Sequence, residues 1–159
     1  MKTIRRSVFE TNSSSTHSIT IADSGGLKGT LPCNGGVIEV GGGEFGWEHE
    51  EYTDALTKLQ YLVTRIFEKH VGKDGSVEWN DVNKDWWVKL SRAVEYHTGC
   101  ILELKIHEKG WYPIGYIDHQ SIGVADEVLN ATVGKIKRFI FNPRSVIEIS
   151  NDNDYCRED

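Results

Sequence analysis

Between Thr53 and His70 the apolar residues Leu56, Leu59, Leu62, Val63, Ile66 and Phe67 recur at three- and four-residue intervals. That spacing lines one side of an α-helix and no single face of a strand, so a long amphipathic helix is expected here. Thr53 and Asp54 suit its amino-terminal cap, where a short side-chain oxygen accepts from otherwise unpaired N–H groups. Gly72-Lys-Asp-Gly75 ends it. A second helix is expected from about Asn83 to His97, burying Trp86, Leu90 and Val94 and stopped by Gly99. Trp86 and Trp87 are adjacent, so one of the two is expected at the surface.

A helix with an apolar stripe needs an apolar surface to lie on, and the flanking segments supply it. Thr3 to Phe9 and His17 to Ala22 alternate with period two, the second placing His17, Ile19 and Ile21 on one face and Ser18 and Thr20 on the other. Val37 to Val40 is a short strand before Gly41-Gly-Gly43. Ile101 to Ile106 and Tyr112 to Ile117 alternate around Lys109-Gly110 and read as a hairpin. Asp126 to Val133 reads as a short helix, and Arg138 to Phe141 and Val146 to Ile149 as closing strands around Asn142-Pro143. The order of strands, two helices and strands predicts an α+β fold. Residues 1–150 form one domain in this reading, with two principal helices on one face of a mainly antiparallel sheet. Residues 151–159 are a polar tail expected to fray.

Composition narrows the functional classes. A chain of 159 residues with net charge −6 is a poor candidate for coating nucleic acid, whose affinity comes largely from neutralising phosphates. No apolar run approaches the roughly 20 residues of a membrane span, and Met1-Lys-Thr-Ile-Arg-Arg6 has no apolar stretch behind it, so a cytoplasmic location is expected. Cys33, Cys100 and Cys156 are far apart and odd in number, which supports neither a disulfide framework nor a zinc site. No metal and no cofactor is expected. Trp47-Glu-His-Glu-Glu51 and Asn151-Asp-Asn-Asp154 lack the spacings of zinc and calcium sites. Gly41-Gly-Gly-Glu-Phe-Gly46 matches a dinucleotide-binding string literally, but it does not open a helix and lacks the βαβ units that motif serves. A tight or flexible loop is expected there instead.

The best site candidate is Thr11-Asn-Ser-Ser-Ser-Thr-His-Ser-Ile19, which carries six hydroxyls, an amide and an imidazole. Consecutive hydroxyls and turn N–H groups can form a concave nest for phosphate oxygens, and guanidinium groups add charge-assisted bonds. Arg5, Arg6, Asn12, Ser13, Ser14, Ser15, Thr16 and Ser18 are the candidate ligand-binding residues. Short polar residues also bond their own backbone in ordinary turns, yet two would serve that purpose. His17 reads either as a half-buried histidine with a backbone partner or as a catalytic group. With His119, and with Asp118 beside it in sequence, it would form an acid–base pair for metal-free phosphodiester cleavage. Lys58 and Tyr61 are neighbours on a helix surface and read as solvated residues near Tyr52.

The string Val8-Phe-Glu-Thr-Asn-Ser-Ser-Ser-Thr-His-Ser18, preceded by a basic residue and one other, resembles the opening of a set of small, uncharacterised proteins from bacteriophages and mobile elements of bacteria. Gly43-Glu-Phe-Gly-Trp47, Thr57-Lys58 with Tyr61, Gly115-Tyr-Ile-Asp-His-Gln-Ser121 and Phe139-Ile-Phe141 extend the resemblance over most of the chain. It implies an accessory protein that modulates a host or counters a defence system. The leading expectation is therefore a phage-type accessory protein that binds a nucleotide or other phosphate-bearing ligand in the Ser-rich loop. Two alternatives stand beside it: a phosphodiester-cleaving or nucleotide-modifying enzyme using His17 and His119, and an acidic inhibitor that docks on a host or defence protein.

Overall fold

In the computed structural model, which describes residues 2–6, 15–46, 49–106, 112–118 and 122–151, the chain is α+β. Helix α1 (Ala55–Phe67) forms where the apolar stripe predicts it, and the Asp54 carboxylate accepts from Thr57 N–H at 2.8 Å as its cap. Helix α2 (Lys84–Thr98) is capped by Asn83 and ends on Gly99, whose φ of 73° is the left-handed conformation that favours glycine. Two further helices follow, α3 (Ile122–Leu129) and α4 (Val133–Phe141).

Four strands make one antiparallel sheet in the order β1 (Lys2–Arg6), β2 (Ser15–Ile21), β8 (Val146–Asn151), β5 (Glu50–Tyr52). The period-two reading of β2 holds: His17, Ile19 and Ile21 are buried, as are Ile147 and Ile149 of β8, while Ser18, Thr20 and Glu148 are not. Helices therefore cover one face, and α1 is buried around most of its circumference. Two short parallel ribbons complete the fold. β3 (Val37–Val40) pairs with β6 (Ile101–Leu104), and β4 (Glu44–Phe45) pairs with β7 (Tyr116–Ile117). The parallel direction is possible because α1 and α2 lie between the partners as a long crossover.

Several expectations change here. The segments 101–106 and 112–117 do not form a hairpin; each pairs with an earlier strand. Arg138 to Phe141 is helical because Ile136, Phe139 and Ile140 repeat at helical spacing behind a Thr132 cap, and a short apolar run does not by itself distinguish strand from helix. The expected helix at 126–133 straddles the break between α3 and α4. Trp86 and Trp87 are both half-buried: the Trp86 indole donates to Asn130 Oδ1 at 2.8 Å, and Trp87 packs edge-on to Phe67. The first strand's residues 7–9 and the tail 152–159 lie outside the described residues.

Cys33 and Cys100 are joined by a disulfide, with Cα atoms 6.6 Å apart, a pairing that the number and spacing of the cysteines did not support. A separation of 67 residues carries no spacing signal; the β3–β6 pairing, which sets Val37 opposite Ile101, brings the two together. Gly41-Gly-Gly43 has an equally local cause. Any Cβ on Gly42 would collide with Ile114 O, and one on Gly115 with Gly43 O, so main chain packs directly on main chain.

Lys58 is fully buried, and its ammonium donates to Asn142 O at 2.9 Å and Ser145 O at 3.0 Å. Burial lowers its pKa to about 8, opposed by the Asp54 carboxylate. Its expected place on a solvated face is thus corrected. Lys58→Ala should cost about 3–5 kcal/mol in urea unfolding, because it leaves a cavity and removes one buried donor from each of the Asn142 and Ser145 carbonyls. Reduction, or Cys100→Ser, should cost about 2–4 kcal/mol by the loop-closure argument, read in the same assay with and without a thiol reductant.

Candidate functional site

The antiparallel pairing of β1 and β2 sets Arg6 opposite His17 and Arg5 opposite Ser18. Arg6 and Ser15, the described residues on either side of 7–14, therefore lie at the same end of the sheet. Ser15 pairs with Asn151 and Glu50 with Ile149, so the beginnings of β2 and β5 and the finish of β8 share this end of the sheet. Asn12, Ser13 and Ser14, with His119, lie outside the described residues. Thr16 is half-buried, and Ser18 donates to Glu148 Oε2 at 3.5 Å on the face opposite His17.

His17 is buried, with Nδ1 2.9 Å from the Tyr61 hydroxyl. Burial pulls the imidazole down to about 4, and the Asp118 carboxylate only partly opposes that fall. Asp118 is itself buried, and its N–H bonds Phe45 O at 2.9 Å at the end of β7. That approach needs Gly46, because a Cβ there would lie 2.7 Å from Asp118 Cβ. The structure thus brings together two of the three candidate catalytic residues, His17 and Asp118, around a tyrosine that the sequence had suggested was solvated.

Tyr61 is the hub of the arrangement. Its ring meets Phe45 edge-on at 4.9 Å, and burial, followed by the charges of Glu68, Asp126 and Asp118, raises its phenol well above the usual range. Burial also raises the Glu68 carboxyl, opposed by the Ile117 N–H donated to it at 3.0 Å and by Arg65. Arg65 grips Asp126 of α3 through Nε at 2.5 Å and Nη2 at 3.2 Å, and stacks 5.4 Å from the Trp86 ring. Arg65, Glu68 and Asp126 were not among the expected site residues. A signal existed: Tyr61, Thr64, Arg65 and Glu68 follow helical spacing beside the apolar stripe.

Chemically, a neutral imidazole bonded to a neutral phenol holds strands and helix in register and is ill suited to donating a proton near pH 7. Among the described residues, no group of three His, Cys, Asp or Glu side chains is placed to hold a metal ion. No helix among them is long and apolar enough to cross a membrane.

The His17 burial has a signed consequence. Its pKa is about 4 when folded against 6.5 for the free side chain, so the unfolded chain takes the proton first. Stability from this group is intact above pH 6.5 and is lost as pH falls from 6.5 through 4, by roughly 3 kcal/mol at most. The raised Glu68 carboxyl works in the opposite direction. Urea melts of the native chain and of His17→Gln across that window should show the flatter profile in the variant; parallel profiles would place the titration elsewhere. Comparison with protein-family models, with curated proteins and with solved structures finds no match.

Proposed function

We propose that this chain is a small accessory protein of the phage or mobile-element kind that binds a nucleotide or other phosphate-bearing ligand at the β1–β2 end of its sheet. The observation that carries the reading is the β1–β2 register, which gathers Arg5, Arg6, Ser15 and Thr16 at the base of the Ser-rich segment. In this reading Arg5 or Arg6 pairs with a phosphate, and Asn12, Ser13, Ser14, Ser15 and Thr16 hold its oxygens. Ser18 is left out, since the Glu148 carboxylate beside it would repel an anion. His17 acts from beneath by fixing β2 on Tyr61, and contact with a base or ribose falls to His119.

Two further facts support binding rather than turnover. An acid–base pair working near neutral pH needs an imidazole that titrates there, and His17 is far below that range. The segments that carry the phage-protein resemblance also meet around Tyr61, through the His17 bond, the Phe45 contact and the Phe45–Asp118 backbone bond. The host-cell cytoplasm is the compartment that goes with this reading. In that reducing setting Cys33 and Cys100 would stand as thiols.

Native mass spectrometry of the protein purified from bacterial cells tests the proposal, beside Ser14→Ala and Arg6→Ala. A co-purifying small molecule in the native chain, depleted in both variants, is the expected result. For Arg6→Ala, loss of a charge-assisted bond should weaken retention roughly 10- to 100-fold. A native chain that carries only another polypeptide, or a small molecule retained equally by both variants, would overturn the loop as a ligand site.

A further inference from the structure

The two parallel ribbons do not run into one another. β3 and β6 stay paired as far as Lys105, whose N–H bonds Val40 O at 2.8 Å, and pairing resumes only with Tyr116 N–H on Gly43 O at 3.0 Å. Beside this interval lies a cavity of about 210 Å³, bordered by Gly41, Gly42, Glu44, Lys105, Tyr112 and Pro113. It lies beyond the carboxyl ends of both β3 and β6, the place where crevices open in parallel sheets. Its size is below the roughly 300–1,000 Å³ of sites for drug-sized ligands and suits one small ring system.

The groups around it form a pattern. Among the described residues, the N–H groups of Gly41 and Gly42 have no hydrogen-bond partner, and Gly41 is buried. A buried N–H of that kind calls for an acceptor from a ligand or solvent. Tyr112 is 64% exposed, yet its ring is held 5.2 Å from Tyr116, which leaves an aromatic face available. The Lys105 ammonium is taken by Glu39 at 3.0 Å, whereas Glu44 is exposed and has no ion-pair partner among the described residues. The cavity therefore offers a stacking face, a carboxylate acceptor and main-chain donors on a floor without side chains.

We propose that this cavity binds a planar heterocycle with a guanine-type edge, the adjacent donor–donor–acceptor row that a guanine base or a pterin carries. The ring stacks on Tyr112, its two neighbouring N–H donors bond the Glu44 carboxylate, and its carbonyl accepts from a glycine N–H. The site uses none of the residues of the Ser-rich segment and does not rest on the phosphate reading. It reads a base edge, with no demand for phosphate.

Phosphate-free probes keep the two ideas apart. Guanosine, pterin and adenosine would each be titrated into the ¹⁵N-labelled full chain, with NMR shifts followed at Gly41, Gly42 and Gly43. The expected result is saturable shifts there with guanosine or pterin, whichever fits identifying the source, and binding of adenosine at least roughly tenfold weaker. Tyr112→Ala should weaken binding by a similar factor, and Glu44→Gln should erase the preference over adenosine. Both residues are exposed, so the variants' spectra should otherwise match the native one. Absence of shifts with guanosine and pterin, equal binding of adenosine, or shifts unchanged in both variants would each overturn the assignment.

Discussion

The ammonium of Lys58 holds the two halves of the structure together. It extends from α1 into a site with no water access and satisfies the carbonyls of Asn142 and Ser145, where α4 gives way to β8. The same short turn is bound from other directions. Ser145 Oγ accepts from Ala22 N–H at the end of β2 and donates to Arg138 O, and the Asn142 amide donates to Ser24 O. One cation thus ties helix to sheet at the point where the last helix hands over to a central strand. A buried charge is tolerated here because both contacts end on main-chain oxygens of this turn.

At the other end of the sheet the polar groups of α1 do different work. Tyr61, Arg65 and Glu68 reach β2, α3 and β7 respectively, so one side of the helix ties three elements together. His17, its pKa drawn down by burial and its Nδ1 on the Tyr61 hydroxyl, ties β2 to α1.

Local pattern revealed much of this and missed what depended on distant partners. The alternation of β2, the stripe and cap of α1, and the glycine stop of α2 were legible because each is set by neighbours in the chain. The parallel ribbons were not, since Val37 and Ile101 carry no mark that they pair across two helices. Phe139-Ile-Phe141 looked like a strand because three bulky apolar residues suit either state, and α4 was decided by packing. Lys58 and Tyr61 read as surface residues because polarity predicts exposure, and their buried partners lie more than 40 residues away in sequence. The Ser-rich stretch stood out for its composition; its two ends were located only through the register of β1 with β2.

The place of β8 has a consequence for how the protein is made. It lies between β2 and β5, and Ser18 and Glu148, partners in the β2–β8 pairing, are 130 residues apart. On the ribosome, β2 would emerge with its apolar row of Ile19 and Ile21 early and wait for a partner that is translated much later. Until then the nascent chain holds an unpaired strand edge and an uncovered hydrophobic face, the features that recruit chaperones or promote aggregation. A chain cut short before Val146 would have lost the strand that joins β2 to β5.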